Sequence, residues 1–346
     1  KYAHFLGFAF GSQQSNLTAE KMVIGREFSL TKNPCSEEFW GLVVLMELRD
    51  FPSPESVEDS RAEYMLKKVC ETIQKTADRF RGQARMIDQN KYILVWRTYG
   101  QQRNKKEGGG WGRQALEAAA MGVTCVLKIT AKLKNLRDEF NETRSLQEID
   151  GLEDGRTGSK GRENPGEFIS SLIHWGKMWQ GIIGSSKKLD VVEMGSELCA
   201  LKEIFDGFRQ MKLGVMLTEP VYQLSSEGVK KHCRPIEVVE ISKGDSGVEI
   251  FSMEITTPEG TTSIAEGWSI AQNRELHAKA KERVLESLLR GARQEFFWGD
   301  PEIQSMLFHW PEFKIICRRA LDFYSMGAWD MARVEILTAL QLRPDD

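Results

Sequence analysis

The glycine-rich run from Gly108 to Gly112, interrupted only by Trp111, is of a type that could bind phosphate. It precedes a predicted helix, and the free backbone N–H groups at a helix N-terminus can bind anions. The run lacks the Gly-Lys-Ser/Thr ending of a P-loop. The pattern therefore favours a polar loop over a nucleotide-binding motif.

Cysteine and histidine could together hold zinc, but their spacing is unsuitable. The six cysteines form no Cys-x-x-Cys pair, and the five histidines have no ligand spacing among themselves or with cysteine. His232 and Cys233 are neighbours, but two residues do not make a zinc site. We interpret the cysteines as reduced, mostly buried thiols of an intracellular protein and expect no metal or other cofactor.

Composition narrows the class of protein. The chain has 346 residues, 41% of them hydrophobic and 28% charged, with a net charge of −3. Because the net charge is close to zero, the protein has no overall positive field that would attract nucleic acid, and we expect no nucleic-acid partner. No apolar run approaches the roughly 18–20 residues of a membrane span. Because the chain starts at Lys1 without a signal-peptide pattern, we expect a cytoplasmic fragment or processed product, free or tethered to a membrane protein or larger complex.

In the first half of the chain, hydrophobic periodicity predicts strands and helices in alternation, and this pattern ends at a polar segment. An N-terminal arm or linker, 1–35, precedes the first strand. The elements expected after it are a strand at 40–48, a helix at 57–80, strands at 83–88 and 91–97, a loop at 99–113, a helix at 114–140 and an exposed polar insertion at 141–166.

The second half of the chain continues the alternation. We expect two strands around Gly176 within 168–184, a helix at 195–211, a strand from Gly214, a short helix from Glu219, a hairpin of strands at 235–241 and 248–255, and helices at 273–296 and 312–342. This order suits an α+β sandwich with a ferredoxin-like core, followed by an extra hairpin and C-terminal helices.

Five short pieces in the right order resemble the class III nucleotidyl cyclases, the adenylate and guanylate cyclase family. They are Glu47-Leu-Arg-Asp-Phe51, Gly82 to Trp96, Ile173-His174-Trp-Gly176 with Gly181-Ile-Ile-Gly184 and Leu189-Asp190, Gly195 to Glu203, and Gly214 to Tyr222. The resemblance covers about 36–245, which we take as a cyclase homology domain. The rest, 246–346, is taken as a hairpin and helical extension.

The resemblance also implies that the polar residues of the family's site are lost here. The two metal-binding Asp positions hold Glu47 and Asn90, and the position of a conserved Lys holds Met86. Ser196, Cys199 and Glu203 stand where the family has Asp, Asn and Arg, in that order. In the family one of two metal ions activates the attacking ribose oxygen, and both offset phosphate charge. Glu203 reverses a charge where phosphate should be neutralised, so no catalytic residue is expected.

Two alternatives stay open for the activity. The first is a pseudoenzyme: a dimerisation, regulatory or scaffold module of cyclic nucleotide signalling, paired with a protein through the cyclase-type dimer face as a homo- or heterodimer. The second is a divergent cyclase, or half of a heterodimeric one, that would hold Mg²⁺ or Mn²⁺ on Glu47 and Asp88.

The C-terminal segment resembles a different family. Tyr324, Gly327, Ala332 and Pro344 fall at the spacing of one tetratricopeptide helix pair. Such a repeat needs stacked neighbours to bury its face, so these helices are expected either to cap the domain or to bind another subunit.

Overall fold

The computed structural model describes residues 37–49, 60–88, 90–98, 112–148, 168–184, 189–240, 247–255, 303, 306–307 and 311–342. The predicted arm at 1–35, the glycine-rich run up to Trp111 and the helix at 273–296 lie outside these residues. The strands are β1 (Glu37–Leu48), β2 (Gln83–Asp88), β3 (Lys91–Thr98), β4 (Ile169–Gly184), β5 (Leu189–Met194), β6 (Val215–Thr218), β7 (Cys233–Val239) and β8 (Val248–Met253).

Helices separate these strands in the predicted order. They are α1 (Ser60–Arg79), α2 (Arg113–Glu148), α3 (Ser196–Gly207) with a 3₁₀ turn at Phe208–Met211, α4 (Glu219–Leu224), α5 (Glu227–Lys231), α6 (Pro311–Ser325) and α7 (Trp329–Leu342). Neither the strand β5 nor the short helix α5 was predicted. Ser226 caps the N-terminus of α5, and its hydroxyl accepts a hydrogen bond from the N–H of Val229.

The strands form one mixed sheet in the order β2-β3-β1-β4-β6-β8-β7, with β5 paired to β4. The first four strands pair antiparallel in the order β2-β3-β1-β4, with α1 and α2 as their crossovers. This is the ferredoxin-like arrangement, so the predicted α+β class and core are confirmed. The hairpin β7-β8 joins the same sheet through β6, so the boundary set at 245 falls between two paired strands.

Side chains of β1 alternate between two hydrophobic cores. Leu42, Val44 and Met46 face the layer that contains α1 and α2. Val43 and Leu45 face α3. Because successive side chains of a strand point to opposite faces, a strand covered on both sides reads as a continuous apolar run.

Two predicted boundaries are wrong. The strands expected on either side of Gly176 form one strand, β4, because Gly176 pairs with Gly41 of β1 and the ladder continues through it. The helix expected to end at 140 continues to Glu148, and the rest of the predicted polar insertion, 149–166, lies outside the described residues. The chain between Gly122 and Gly151 contains neither glycine nor proline, so nothing in it breaks a helix.

Gly82 provides a test of the packing between α1 and β3. A Cβ atom at this position would lie 2.5 Å from the indole ring of Trp96. That indole donates a hydrogen bond to the carbonyl of Phe80 at 2.8 Å and is fixed in place. We expect Gly82→Ala to lower the free energy of unfolding in urea by about 1–3 kcal/mol through overpacking.

Gly207 is the matched control, since a Cβ atom there meets nothing within 4 Å and its backbone is helical. Gly207→Ala should leave the unfolding free energy unchanged or raise it by up to about 1 kcal/mol. Equal effects of the two substitutions would contradict the packing around Trp96.

Candidate functional site

Glu47, at the first predicted metal position, is held by two arginines. It lies at the end of β1, its side chain is 1% exposed, and it faces the α3 side of the sheet like Leu45. Arg209, in the 3₁₀ turn after α3, donates from Nη2 to Glu47 Oε1 at 2.6 Å. Arg49 Nε lies 3.5 Å from Glu47 Oε2. The buried carboxylate is therefore surrounded by positive charge from the protein itself.

Arg49 is itself partly buried. Burial lowers the pKa of its guanidinium below the ordinary value, and the neighbouring Glu47 carboxylate opposes that shift. Because an arginine pKa starts far above neutrality, Arg49 remains charged at physiological pH. Both cations beside Glu47 are thus permanent.

Asn90, at the second predicted metal position, has a structural contact. Its side-chain Nδ2 donates to the carbonyl of Leu48 at 2.8 Å, and its backbone carbonyl accepts the N–H of Leu48 at the same distance. Asn90 therefore fastens the turn between β2 and β3 to the end of β1. A neutral amide that donates to backbone contributes no charge to attract a metal ion.

Asp88, the substitute carboxylate considered from the sequence, lies on a different strand from Glu47. In the ladders Glu47 pairs with Lys91, and Lys91 pairs with Asp88. Two strand spacings correspond to about 10 Å between the backbones. Lys91 lies between them, and its amine contacts Asp206 at 3.1 Å. The two carboxylates thus lie two strands apart and do not converge on one metal ion.

The remaining predicted positions lie on the surface. Ser196, Cys199 and Glu203 are spaced by three and four residues on α3 and are exposed. The opposite face of α3 buries Leu198, Leu201 and Phe205 against the sheet. Met86, on β2, is 55% exposed. Of the six predicted positions, the structure thus brings Glu47 and Asn90 together at one strand end, whereas Met86 is exposed on β2 and Ser196, Cys199 and Glu203 face away from the sheet.

A buried polar cluster lies at the His174 piece of the resemblance. His174, 4% exposed, contacts Thr218 Oγ1 through Nδ1 at 3.1 Å and Glu197 Oε2 through Nε2 at 3.2 Å. Because an ionised carboxylate only accepts, Nε2 carries a proton and donates to Glu197. A Cβ atom at Gly176 would come within 2.1 Å of the same carboxylate oxygen and 2.4 Å of His174 Nε2, so a side chain here would displace this pair.

Sequence reasoning missed both arginines. Arg49 had a signal, because residues two apart on a strand share a face and it follows Glu47 by two. Arg209 had none, because 162 residues separate it from Glu47. Among the residues that the structure describes, no group of three or more His, Cys, Asp or Glu could hold a metal ion, and no helix is long and apolar enough to cross a membrane.

No protein-family model and no curated protein sequence matches this chain. Solved structures are similar to it. A bacterial light-regulated adenylyl cyclase is 11% identical, with a TM-score of 0.44, over 72% of this chain and 65% of that one. The adenylyl cyclase CyaB from P. aeruginosa is 14% identical, with a TM-score of 0.41, over 66% and 99% of the two chains.

The guanylate cyclase domain of RhGC from Catenaria anguillulae is 14% identical, with a TM-score of 0.37, over 63% of this chain and 97% of that one. This chain thus spans just under two thirds of the light-regulated cyclase and nearly all of the isolated cyclase domains. The similarity is to class III adenylyl and guanylyl cyclase domains, and it concerns the fold.

The ion pair between Arg209 and Glu47 can be tested by a double-mutant cycle. Arg209→Ala leaves a buried carboxylate with one cation fewer, so we expect the free energy of unfolding to fall by about 1–3 kcal/mol. In a Glu47→Gln background the same substitution should cost less than about 0.5 kcal/mol, because a neutral amide needs no counter-charge. Urea denaturation measures all four proteins. The same cost in both backgrounds would show that Arg209 acts elsewhere.

The outward position of Cys199 predicts a difference in thiol reactivity. Cys199 is exposed, whereas Cys125 and Cys233 are buried. Burial raises the pKa of both buried thiols, that of Cys233 to about 12. Since the thiolate is the reactive form, Cys199 should react with a disulfide reagent at pH 8 at least about 100-fold faster than Cys125 or Cys233 in the folded protein. Peptide mass spectrometry at successive times measures the modified fraction of each cysteine. Equal rates in the native protein would refute this placement, and equal rates in urea are the control.

Proposed function

We propose that this chain carries a non-catalytic cyclase homology domain, a pseudoenzyme that serves as a dimerisation, regulatory or scaffold module. The observation that carries the proposal is the pairing of Glu47 with Arg49 and Arg209. At the strand end where the resemblance implies a metal-binding carboxylate, the carboxylate is already neutralised by the protein.

Electrostatics oppose metal binding in this arrangement. A divalent ion placed on Glu47 would lie beside two guanidinium groups and would have to displace the 2.6 Å contact from Arg209. At an effective dielectric constant of about 20, each pair of unit charges about 4 Å apart interacts by roughly 4 kcal/mol. A single carboxylate does not offset repulsion of a divalent ion by two fixed cations.

The second metal carboxylate of the family has no replacement among the contacts described. Asn90 is neutral and donates to Leu48, and Asp88 lies two strands from Glu47. Loss of one strong transition-state stabiliser typically costs about 10²–10³ in rate, and several positions differ here. A chain that keeps the apolar and glycine framework of the family but lacks its polar site residues is better suited to assembly than to catalysis.

We propose that the dimer face is the cyclase-type one and includes the edge strand β2 and the outer face of α3. On β2, Met86 and Ile87 are 55% and 51% exposed. Exposed apolar residues on an edge strand are expected to be covered by a partner. The cytoplasm is the proposed location, because five of the cysteines are free thiols.

A direct test separates this role from a divergent cyclase. The purified chain, incubated with ATP or GTP and Mn²⁺, should form no cyclic nucleotide. Turnover that is abolished by Glu47→Ala would overturn the proposal and establish the enzyme, with Mg²⁺ or Mn²⁺ as its cofactor.

Metal affinity gives a second readout that does not depend on turnover. Mn²⁺ should leave the melting temperature of the native chain unchanged. In the double variant Arg209→Ala, Asn90→Asp, one cation is removed and a carboxylate is added at the same strand end, so Mn²⁺ should raise the melting temperature. Asn135→Asp, a substitution on α2 away from this strand end, is the matched control and should show no response. Stabilisation of the native chain by Mn²⁺ would count against the proposal.

A further inference from the structure

The C-terminal helix α7 carries apolar side chains around most of its circumference. Ala332 and Ala339 are buried against α6. On the opposite face Met331, Val334 and Leu337 are 53%, 59% and 51% exposed. A helix that is apolar all round is normally buried on all sides. In the described part of the chain, α6 is the main element packed against α7, so its outward face remains in contact with solvent.

The residue pattern of α7 is symmetric about its centre. Reflection about the midpoint between residues 335 and 336 brings Val334 onto Leu337 and Met331 onto Leu340. At the ends Asp330 falls on Gln341. On the outward face apolar positions thus exchange with apolar ones and polar with polar, whereas Glu335, which falls on Ile336, lies on the α6 side and pairs with Arg319. Such self-complementarity is what a two-fold, isologous interface requires.

Charge selects the antiparallel arrangement. The ionised residues of α7 are Asp330, Arg333 and Glu335, and Glu335 already pairs with Arg319 of α6. Parallel packing of two copies would set each Asp330 beside its own copy. Antiparallel packing separates the two Asp330 side chains by about 16 Å along the axis, beyond the Debye length of about 8 Å at physiological ionic strength. Each Arg333 then faces the neutral Thr338.

We infer that the outward face of α7 binds α7 of a second copy of this chain in an antiparallel, two-fold pair. Val334 packs against Leu337 of the second copy at the centre, and Asp330 of each copy lies beside Gln341 of the other at the two ends. The inference deepens the scaffold role proposed above and rests on it. The two proposals can be refuted separately. Cyclase turnover would refute the scaffold role, whereas the oligomeric state decides whether α7 pairs with α7 of a second copy.

The size of the outward face of α7 sets the expected affinity of the dimer. A 14-residue helix is about 21 Å long, so one face buries less than the roughly 800 Å² per partner of a standard stable interface. We therefore expect a concentration-dependent dimer in the micromolar range rather than a permanent one. A pair of helices at one end of the molecule leaves the proposed dimer face at β2 and α3 available for another partner.

Sedimentation velocity of the full chain over the micromolar range tests the inference. The mass should rise from one chain to two, and Leu337→Glu should weaken the dimer at least about tenfold, or roughly 1.4 kcal/mol, because it buries a carboxylate at the two-fold axis. Leu116→Glu, at a leucine of α2 that is 43% exposed, is the matched control and should leave the dimer intact. A monomer at all concentrations, or a dimer weakened by Leu116→Glu and not by Leu337→Glu, would overturn the inference.

Disulfide trapping keeps the test decisive if Leu337→Glu does not fold. In a Cys199→Ser background, Val334→Cys places two thiols about 4.5 Å apart along the axis, within reach of a disulfide, whereas Asp330→Cys places them about 16 Å apart. The Val334→Cys variant should form a covalent dimer on mild oxidation, and the Asp330→Cys control should not. Equal trapping of both variants, or of neither, would refute the antiparallel pair.

Discussion

The central strand β1 is bonded on both edges and covered on both faces, and the other parts of the site take their positions from it. Its ladders with β3 and β4 run through most of its length. Alternate side chains enter the two cores, one with α1 and α2 and one with α3. Because every direction around the strand is occupied, the last residue to point inward, Glu47, is forced into a buried environment.

A carboxylate in that environment needs a nearby positive charge, since burying an unpaired charge costs several kcal/mol. Arg49 and Arg209 supply it from the end of β1 and from the turn after α3. The buried carboxylate is thus balanced within the chain, and the ion pair with Arg209 links the turn after α3 to the sheet.

The surfaces at the two ends of the molecule differ in polarity. On β2 the exposed residues include the apolar Met86 and Ile87, and α3 exposes polar residues such as Glu203. At α7 the exposed face is mostly apolar and is symmetric in pattern. A module with two such faces can join like chains at one end and a different partner at the other, which suits a role in assembly.

The sequence by itself determined the α+β class, most of the order of elements and the apolar run of β1, because all of these depend on local periodicity or residue type. It failed at Gly176, where only the partner strand shows that the ladder continues. The tertiary structure alone decided that Asp88 lies two strands from Glu47 and that Arg209 pairs with it across 162 residues. Contacts between residues distant along the chain depend on sheet order and register, which no local pattern encodes.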